Sequence, residues 1–211
     1  MPHIIVFGAS VTAGFWDPEG GWVQRLRSYT DNKALLNPKY HSRVYNLGIS
    51  GDVISDVIRR FEFETQQRQS STHKTLFLFS VGLNDSQFDI KNQSVRTDPI
   101  AFTESLKQLF SLARKCSSNI VFIGFSPVDE TRVDPKPWDS EKAFKNDLVE
   151  QFENIVRDVC QLEGVHFIGL FKKFANTDIN QLLEDGVHPN AEGHKKIFEI
   201  VKDYLEKNKL I

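Results

Sequence analysis

The chain has 211 residues, of which 40% are hydrophobic and 26% charged, the balance of a soluble globular protein, and its length suits one domain with a core that needs no disulfide staples. A formal charge of −2 argues against nucleic acid or an anionic membrane as partner; no apolar run approaches the ~18 residues of a membrane span, and the amino terminus lacks the basic start of a signal peptide. Cys116 and Cys160, the two cysteines, form neither a disulfide framework nor a metal knuckle, so a reducing, cytoplasmic setting is the simplest expectation.

Taken in order, short apolar runs alternate with longer amphipathic ones. HIIVFG (3–8) reads as a strand and leads into GASVTAG, with Ala9 and Ser10 just past its end. GWVQRLRSY then places Trp22, Leu26 and Tyr29 on one helical face. SRVYNLG (42–48) is a second strand, followed by Ser50 and Gly51, and DVISDVIRRFEFE a second helix. KTLFLFSVG (74–82) leads to Asn84 and Asp85, and FTESLKQLFSLARK follows as a helix. NIVFIGF (119–125) ends at Ser126 and opens a polar loop over 126–140 that contains three prolines. FKNDLVEQFENIVRDVCQL is helical, VHFIGL (165–170) is the fifth strand, and KKIFEIVKDYLEK closes the chain as a helix. Near-continuous apolarity marks strands buried on both faces, so the alternation predicts an α/β fold with a central five-stranded parallel sheet and helices on both sides.

In such sheets ligands bind beyond the carboxyl ends of the strands. Right-handed crossovers bring those ends to one rim, where Ser10, Gly48, Asn84 and the turn holding Asp185 and His188 could meet. Each alone has an ordinary reading: a small residue in a tight turn, a turn glycine, a helix-capping asparagine, turn chemistry before a helix. Among the six histidines, His3, His41 and His73 belong near the opposite rim, His166 lies inside a strand and His194 inside the last helix. His188 alone joins a loop after the last strand to a carboxylate three residues away, which could accept the Nδ1 proton and leave Nε2 for a serine.

The blocks GASVTAG, NLGISG, GLND and DGVHPN, in that order across nearly the whole chain, resemble the SGNH hydrolases of the GDSL esterase/lipase group. The resemblance implies a three-layer α/β/α sandwich of flavodoxin-like type, in agreement with the alternation. It also implies Ser10 as nucleophile, His188 as general base, Asp185 as its orienter, and an oxyanion hole from Ser10, Gly48 and Asn84. One departure stands out: Ala9 occupies the place of the family's Asp before the nucleophile. A GxSxG elbow is absent, with Thr12 where its second glycine would be, which together with a serine after the first strand argues against the classical α/β-hydrolase arrangement.

The activity expected is hydrolysis of a small-molecule carboxylic ester with no metal or cofactor. Short acyl esters, acetylated sugars, lipids and thioesters remain open as substrates. Trp16, Phe88 and Trp138 flank the motifs and are candidate substrate-binding aromatics. No segment resembles a membrane-binding helix, so no stable membrane association is expected; oligomeric state is not readable. Two other readings share these residues: a flavodoxin-like protein whose GASVTAG loop holds an FMN or other phosphate, and a metal site from Asp185, His188 and His194.

Overall fold

A computed structural model describes residues 1–174 and 177–211. Along the chain the strands are β1 (His3–Gly8), β2 (Val44–Gly48), β3 (Thr75–Ser80), β4 (Phe88–Asp89), β5 (Ser94–Val95), β6 (Ile120–Ile123), β7 (Lys142–Ala143) and β8 (His166–Ile168). The helices are α1 (Ser10–Ala13), α2 (Gly21–Leu36), α3 (Ile54–Gln66), α4 (Pro99–Arg114), α5 (Glu130–Val133), α6 (Asn146–Glu163), α7 (Phe171–Phe174) and α8 (Ala191–Lys207).

The central sheet has five parallel strands in the order β2-β1-β3-β6-β8. Alternate residues of β1 serve different cores, which is why its run reads as continuously apolar. Ile4 and Val6 pack with Trp22 of α2 and Ile197 of α8 on one face, and Ile5 and Phe7 with Phe61 of α3, Leu106 of α4 and Phe152 of α6 on the other. The second core is an aromatic one: the Phe7 ring lies 5.2 Å from Phe61 and 5.8 Å from Phe79, centroid to centroid.

The strand order creates the crevice. From β1 the chain winds outward to β2, then returns to place β3 on the other side of β1, so the loops that leave β1 and β3 diverge at a switch point. Gly8 and Ser80 are register partners at the ends of these strands, which sends the segments carrying Ser10 and Asn84 out side by side.

The predicted five-strand parallel core is present, with shorter strands: the run 42–48 begins to pair at Val44, and 165–170 contributes only His166–Ile168 at the sheet edge. The segment 126–140 is more ordered than a plain loop. It contains α5 and a bridge between Lys136 and Asp139, and Lys142–Ala143 just beyond it pairs with β4 in a small antiparallel sheet of order β5-β4-β7. Two-residue strands carry no periodicity, so only tertiary pairing reveals them. At the amino edge of the main sheet His3, His41 and His73 gather as expected, with the His3 and His73 rings stacked at 4.4 Å.

Candidate active site

The Ser10 loop is shaped by close backbone approach. A Cβ on Gly8 would lie 2.0 Å from Thr12 Oγ1 and 2.5 Å from the Ser80 carbonyl oxygen, so only glycine lets α1 turn back over the end of β1. Gly14 closes α1 in the left-handed region at φ 93°. His194 anchors the far side of the loop: its Nε2–H donates to the Phe15 carbonyl at 2.9 Å, and its Nδ1 accepts the Trp22 N–H at 3.3 Å. Both nitrogens are thereby engaged in a fully buried ring, so His194 does not join Asp185 and His188 as a metal ligand. Among the described residues, the group able to offer three ligand atoms is His3, His41 and His73, whose candidate atoms lie within 4.8 Å of one another at the opposite edge of the sheet.

The turn that carries Asp185 and His188 is held by α5. Its Gly186 carbonyl accepts the Asp129 N–H at 2.9 Å, and a Cβ on Gly186 would come within 2.9 Å of Arg132 and Val133. Within the turn, Glu184 N–H donates to the His188 carbonyl at 2.8 Å. Asp185 is fully engaged. Its Oδ1 accepts the N–H groups of Val187 (3.0 Å) and His188 (2.8 Å). Its Oδ2 accepts the His188 Nδ1–H (2.7 Å) and the Trp16 indole N–H (2.9 Å). Burial alone would raise its pKa, but the bonds from the His188 ring and the two backbone amides outweigh it and hold Asp185 well below the usual carboxylate range.

An ionised carboxylate can only accept, so Nδ1 carries the imidazole proton and Nε2 is left as an acceptor. Ser10 Oγ lies 2.8 Å from that Nε2, and Ser10 is only 6% exposed. A carboxylate, an imidazole and a hydroxyl thus form one relay across 178 residues of chain, arranged to withdraw a proton from a serine.

The relay opens on a cavity of about 230 Å³ lined by Ser10, His188, Gly51, Asn84 and Trp138, among others. Asn84 spends one amide hydrogen on the Asp52 carbonyl at 3.0 Å, which fixes the side chain and leaves its second N–H for a ligand. The neighbouring Asp85 clamps this loop: its buried carboxylate accepts from Ile54 N–H at 3.1 Å and Thr97 Oγ1–H at 2.9 Å. Burial pushes the Asp85 carboxyl up to about 6, against the opposing bonds from Thr97 and Ile54.

Gly48 departs from the expectation. Its N–H donates to Asn46 Oδ1 at 3.0 Å, and it is not among the residues lining the cavity. A Cβ there would lie 2.3 Å from Ala13 N, so this glycine is needed to seat α1 against the end of β2. Gly51, three residues on in the same loop, does line the cavity. It has φ +84°, and among the described residues its N–H, like that of Ser10, meets no protein acceptor.

Of the three candidate aromatics, Trp138 lines the cavity, with its ring 6.4 Å from the His188 ring. Trp16 instead holds the Asp185 carboxylate, at a left-handed φ of 65°. Phe88 lies in β4 away from the cavity lining, under the Lys145 ammonium at 4.5 Å. Ala9, in place of an acidic residue, forms part of the wall.

Sequence reasoning did not single out Glu153. Its buried carboxylate on α6 accepts the N–H groups of Phe125 (3.3 Å), Leu170 (2.6 Å) and Phe171 (3.2 Å), tying together the chain ends that leave β6 and β8. The one available signal was an acid on the apolar face of an amphipathic helix.

A parallel, doubly wound sheet whose carboxyl edge presents a carboxylate–imidazole–hydroxyl relay belongs to the class of α/β hydrolytic enzymes. The model of the GDSL-like Lipase/Acylhydrolase family matches residues 6–196, and the chain belongs to that family as a GDSL-type carboxylic ester hydrolase. It is 24% identical over 206 residues to an arylesterase of Vibrio mimicus, covering 97% of this chain and 88% of that protein. Among solved structures it resembles the lipase/acylhydrolase from Enterococcus faecalis with a TM-score of 0.74 and 19% identity, over 99% of this chain and 97% of that one. It also resembles Axe2, an acetylxylan esterase from Geobacillus stearothermophilus, with a TM-score of 0.69 and 18% identity, over 97% of this chain and 93% of that one.

Proposed function

We propose that this chain acts as one SGNH-hydrolase-like domain that cleaves small esters through a covalent acyl-serine. Ser10 Oγ attacks the ester carbonyl carbon as its proton passes to His188 Nε2. The imidazolium that forms is stabilised by Asp185, which is already ionised and oriented. The developing oxyanion is received by the N–H groups of Ser10 and Gly51 and by the free amide hydrogen of Asn84, with Gly51 taking the part expected of Gly48. His188 returns its proton to the leaving alcohol. Water, deprotonated by the same imidazole, then attacks the acyl carbon and releases the acid, restoring Ser10.

The observation that carries this reading is the unbroken relay from Asp185 through His188 to Ser10, at 2.7 and 2.8 Å. The cavity suits acyl groups of acetyl to short-chain size better than long ones, since 230 Å³ lies below the span of typical drug-sized pockets. The experiment is a chain-length series of p-nitrophenyl esters with the wild type and Ser10→Ala. Acetate to butyrate should be the best substrates, and Ser10→Ala should lower kcat by about 10⁴-fold or more. Wild-type rates from Ser10→Ala would overturn the assignment.

A further inference from the structure

The cavity carries a charge pattern that ester hydrolysis by itself does not require. Arg96, Lys136 and Lys142 all line it, and no aspartate or glutamate is among the lining residues. The chain as a whole has a net charge of −2, so this concentration of cations is local and contrary to the overall balance.

The three cations are incompletely paired by the protein. Asp139 makes the ion pairs with the two lysines, at 3.6 Å from Lys136 Nζ and 3.2 Å from Lys142 Nζ, so one carboxylate serves two ammonium groups. Asp89 beside Lys142 and Asp85 beside Arg96 add attraction without forming an ion pair, and neither lines the cavity. Among the described residues no carboxylate oxygen lies within 4 Å of the Arg96 guanidinium, although Asp85 feels its charge. Lys136 is only 6% exposed, and its ammonium lies 5.8 Å from the Trp138 ring and 5.7 Å from the Phe144 ring. A buried ammonium whose one paired carboxylate is shared with a second ammonium is costly. Burial is also the main influence that lowers the Lys136 pKa, with Lys142 and Arg96 adding to it against Asp139.

The cations are held together by the small sheet that sequence reading did not foresee. Arg96 N–H donates to the Gln87 carbonyl at 2.7 Å beside the β4–β5 pair, Lys142 sits in β7, and Lys136 N–H donates to the Lys142 carbonyl at 2.9 Å. Trp138 then connects the cluster to the chemistry, since the same ring faces Lys136 at 5.8 Å and the His188 ring at 6.4 Å. Tying its loop through Asp139 would account for Lys136 but not for Arg96 and Lys142, which border the same cavity and, beside Asp89, a neighbouring one.

We propose that the cavity is built for an ester that carries a second, ionised acid group such as a carboxylate, and that Arg96, Lys136 and Lys142 form the subsite that receives it. This rests on the esterase reading above and deepens it. The anion supplies the missing counter-charge, and a guanidinium and two ammonium groups offer it charge-assisted hydrogen bonds inside a partly closed space.

The test compares matched acid and amide substrates: 4-acetoxybenzoate with 4-acetoxybenzamide for an acid on the alcohol side, and mono-p-nitrophenyl glutarate with the corresponding glutaramate for an acid on the acyl side. The expected kcat/KM ratio favours the acid by about 10- to 100-fold in at least one pair. That ratio should shrink as salt is raised and fall to about one in Lys136→Met and in Arg96→Gln; the second variant changes an exposed side chain and guards against a folding failure of the first. Hydrolysis of the neutral members with an acid-to-amide ratio of one or less in both pairs overturns the subsite and leaves the esterase reading intact. If no ester is hydrolysed, the esterase reading fails by itself, and calorimetry on Ser10→Ala judges the subsite. Tighter binding of 4-acetoxybenzoate than of 4-acetoxybenzamide, lost on adding Arg96→Gln, supports it; equal or weaker binding overturns it.

Discussion

The two edges of the central sheet both bear histidines and treat them in opposite ways. At the carboxyl edge His188 has a carboxylate on Nδ1 and a hydroxyl on Nε2. At the amino edge His3 is 5% exposed and neither of its ring nitrogens finds a protein partner among the described residues. Burial and the neighbouring His73, Arg43 and His41 lower its pKa. An imidazole becomes a base when one nitrogen is given to an ionised acceptor that fixes the tautomer and stabilises the charge to come. Burial alone does not do this. His194 is a third case, buried with both nitrogens used up in holding the Ser10 loop.

The contrast can be tested from its strongest element downward. Asp185→Asn removes the ionised acceptor and lets the His188 ring take the wrong tautomer, so kcat should fall roughly 10³- to 10⁴-fold with little change in KM. A loss of less than tenfold in steady-state kinetics would mean that the carboxylate does not make His188 what it is. Asn84→Ala removes one oxyanion donor and should lower kcat by about 10²- to 10³-fold. Because Asn84 also bonds the Asp52 carbonyl, a crystal structure of the variant should show whether the Gly51 segment keeps its place.

Asp85 sharpens the comparison through pH. Its native value of about 6 lies above the ordinary 3.8, so the folded state holds this proton more tightly than the unfolded chain. The stability this confers is present at low pH and lost as pH rises from about 4 to about 6, by up to about 3 kcal/mol. Asp85→Asn should remove that loss. Thermal melts of both proteins from pH 4 to about 8 should therefore show a difference that changes with pH and then levels off above about 7; a constant offset would contradict the buried, partly protonated carboxyl.

The smallest effect belongs to the amino edge. His3→Leu exchanges two unpartnered ring nitrogens for apolar volume, so stability should change by no more than about 1 kcal/mol, in either direction, and kcat/KM for p-nitrophenyl acetate should not move. A loss of turnover there would erase the distinction between the edges.

Much of this was legible in the residues. β1 and β3 read as buried strands because Ile4 through Phe7 and Leu76 through Phe79 serve cores on two faces, and no half-exposed strand produces such a run. His188 was separable from the other histidines because its acceptor is local, three residues back in the same turn. Gly48 and Gly51 were not separable. One ends a strand and the other follows it by three residues, and which N–H faces the cavity depends on Asn46 Oδ1 taking one of them and on α1 pressing against β2. Trp16 looked like a substrate aromatic and proved to be a donor to Asp185, a contact that spans 169 residues.

From the sequence alone came the order of elements and the class of sheet, since periodicity is a local property of the chain, and the candidate imidazole and carboxylate, since their spacing is local; the candidate hydroxyl came from the resemblance of four ordered blocks to a known family. The tertiary structure decided which backbone amides are left without partners, where the Arg96, Lys136 and Lys142 charges converge, and what Asp85 and Glu153 hold in place. Those outcomes depend on burial and on contacts between distant segments, and neither quantity exists until the chain has folded.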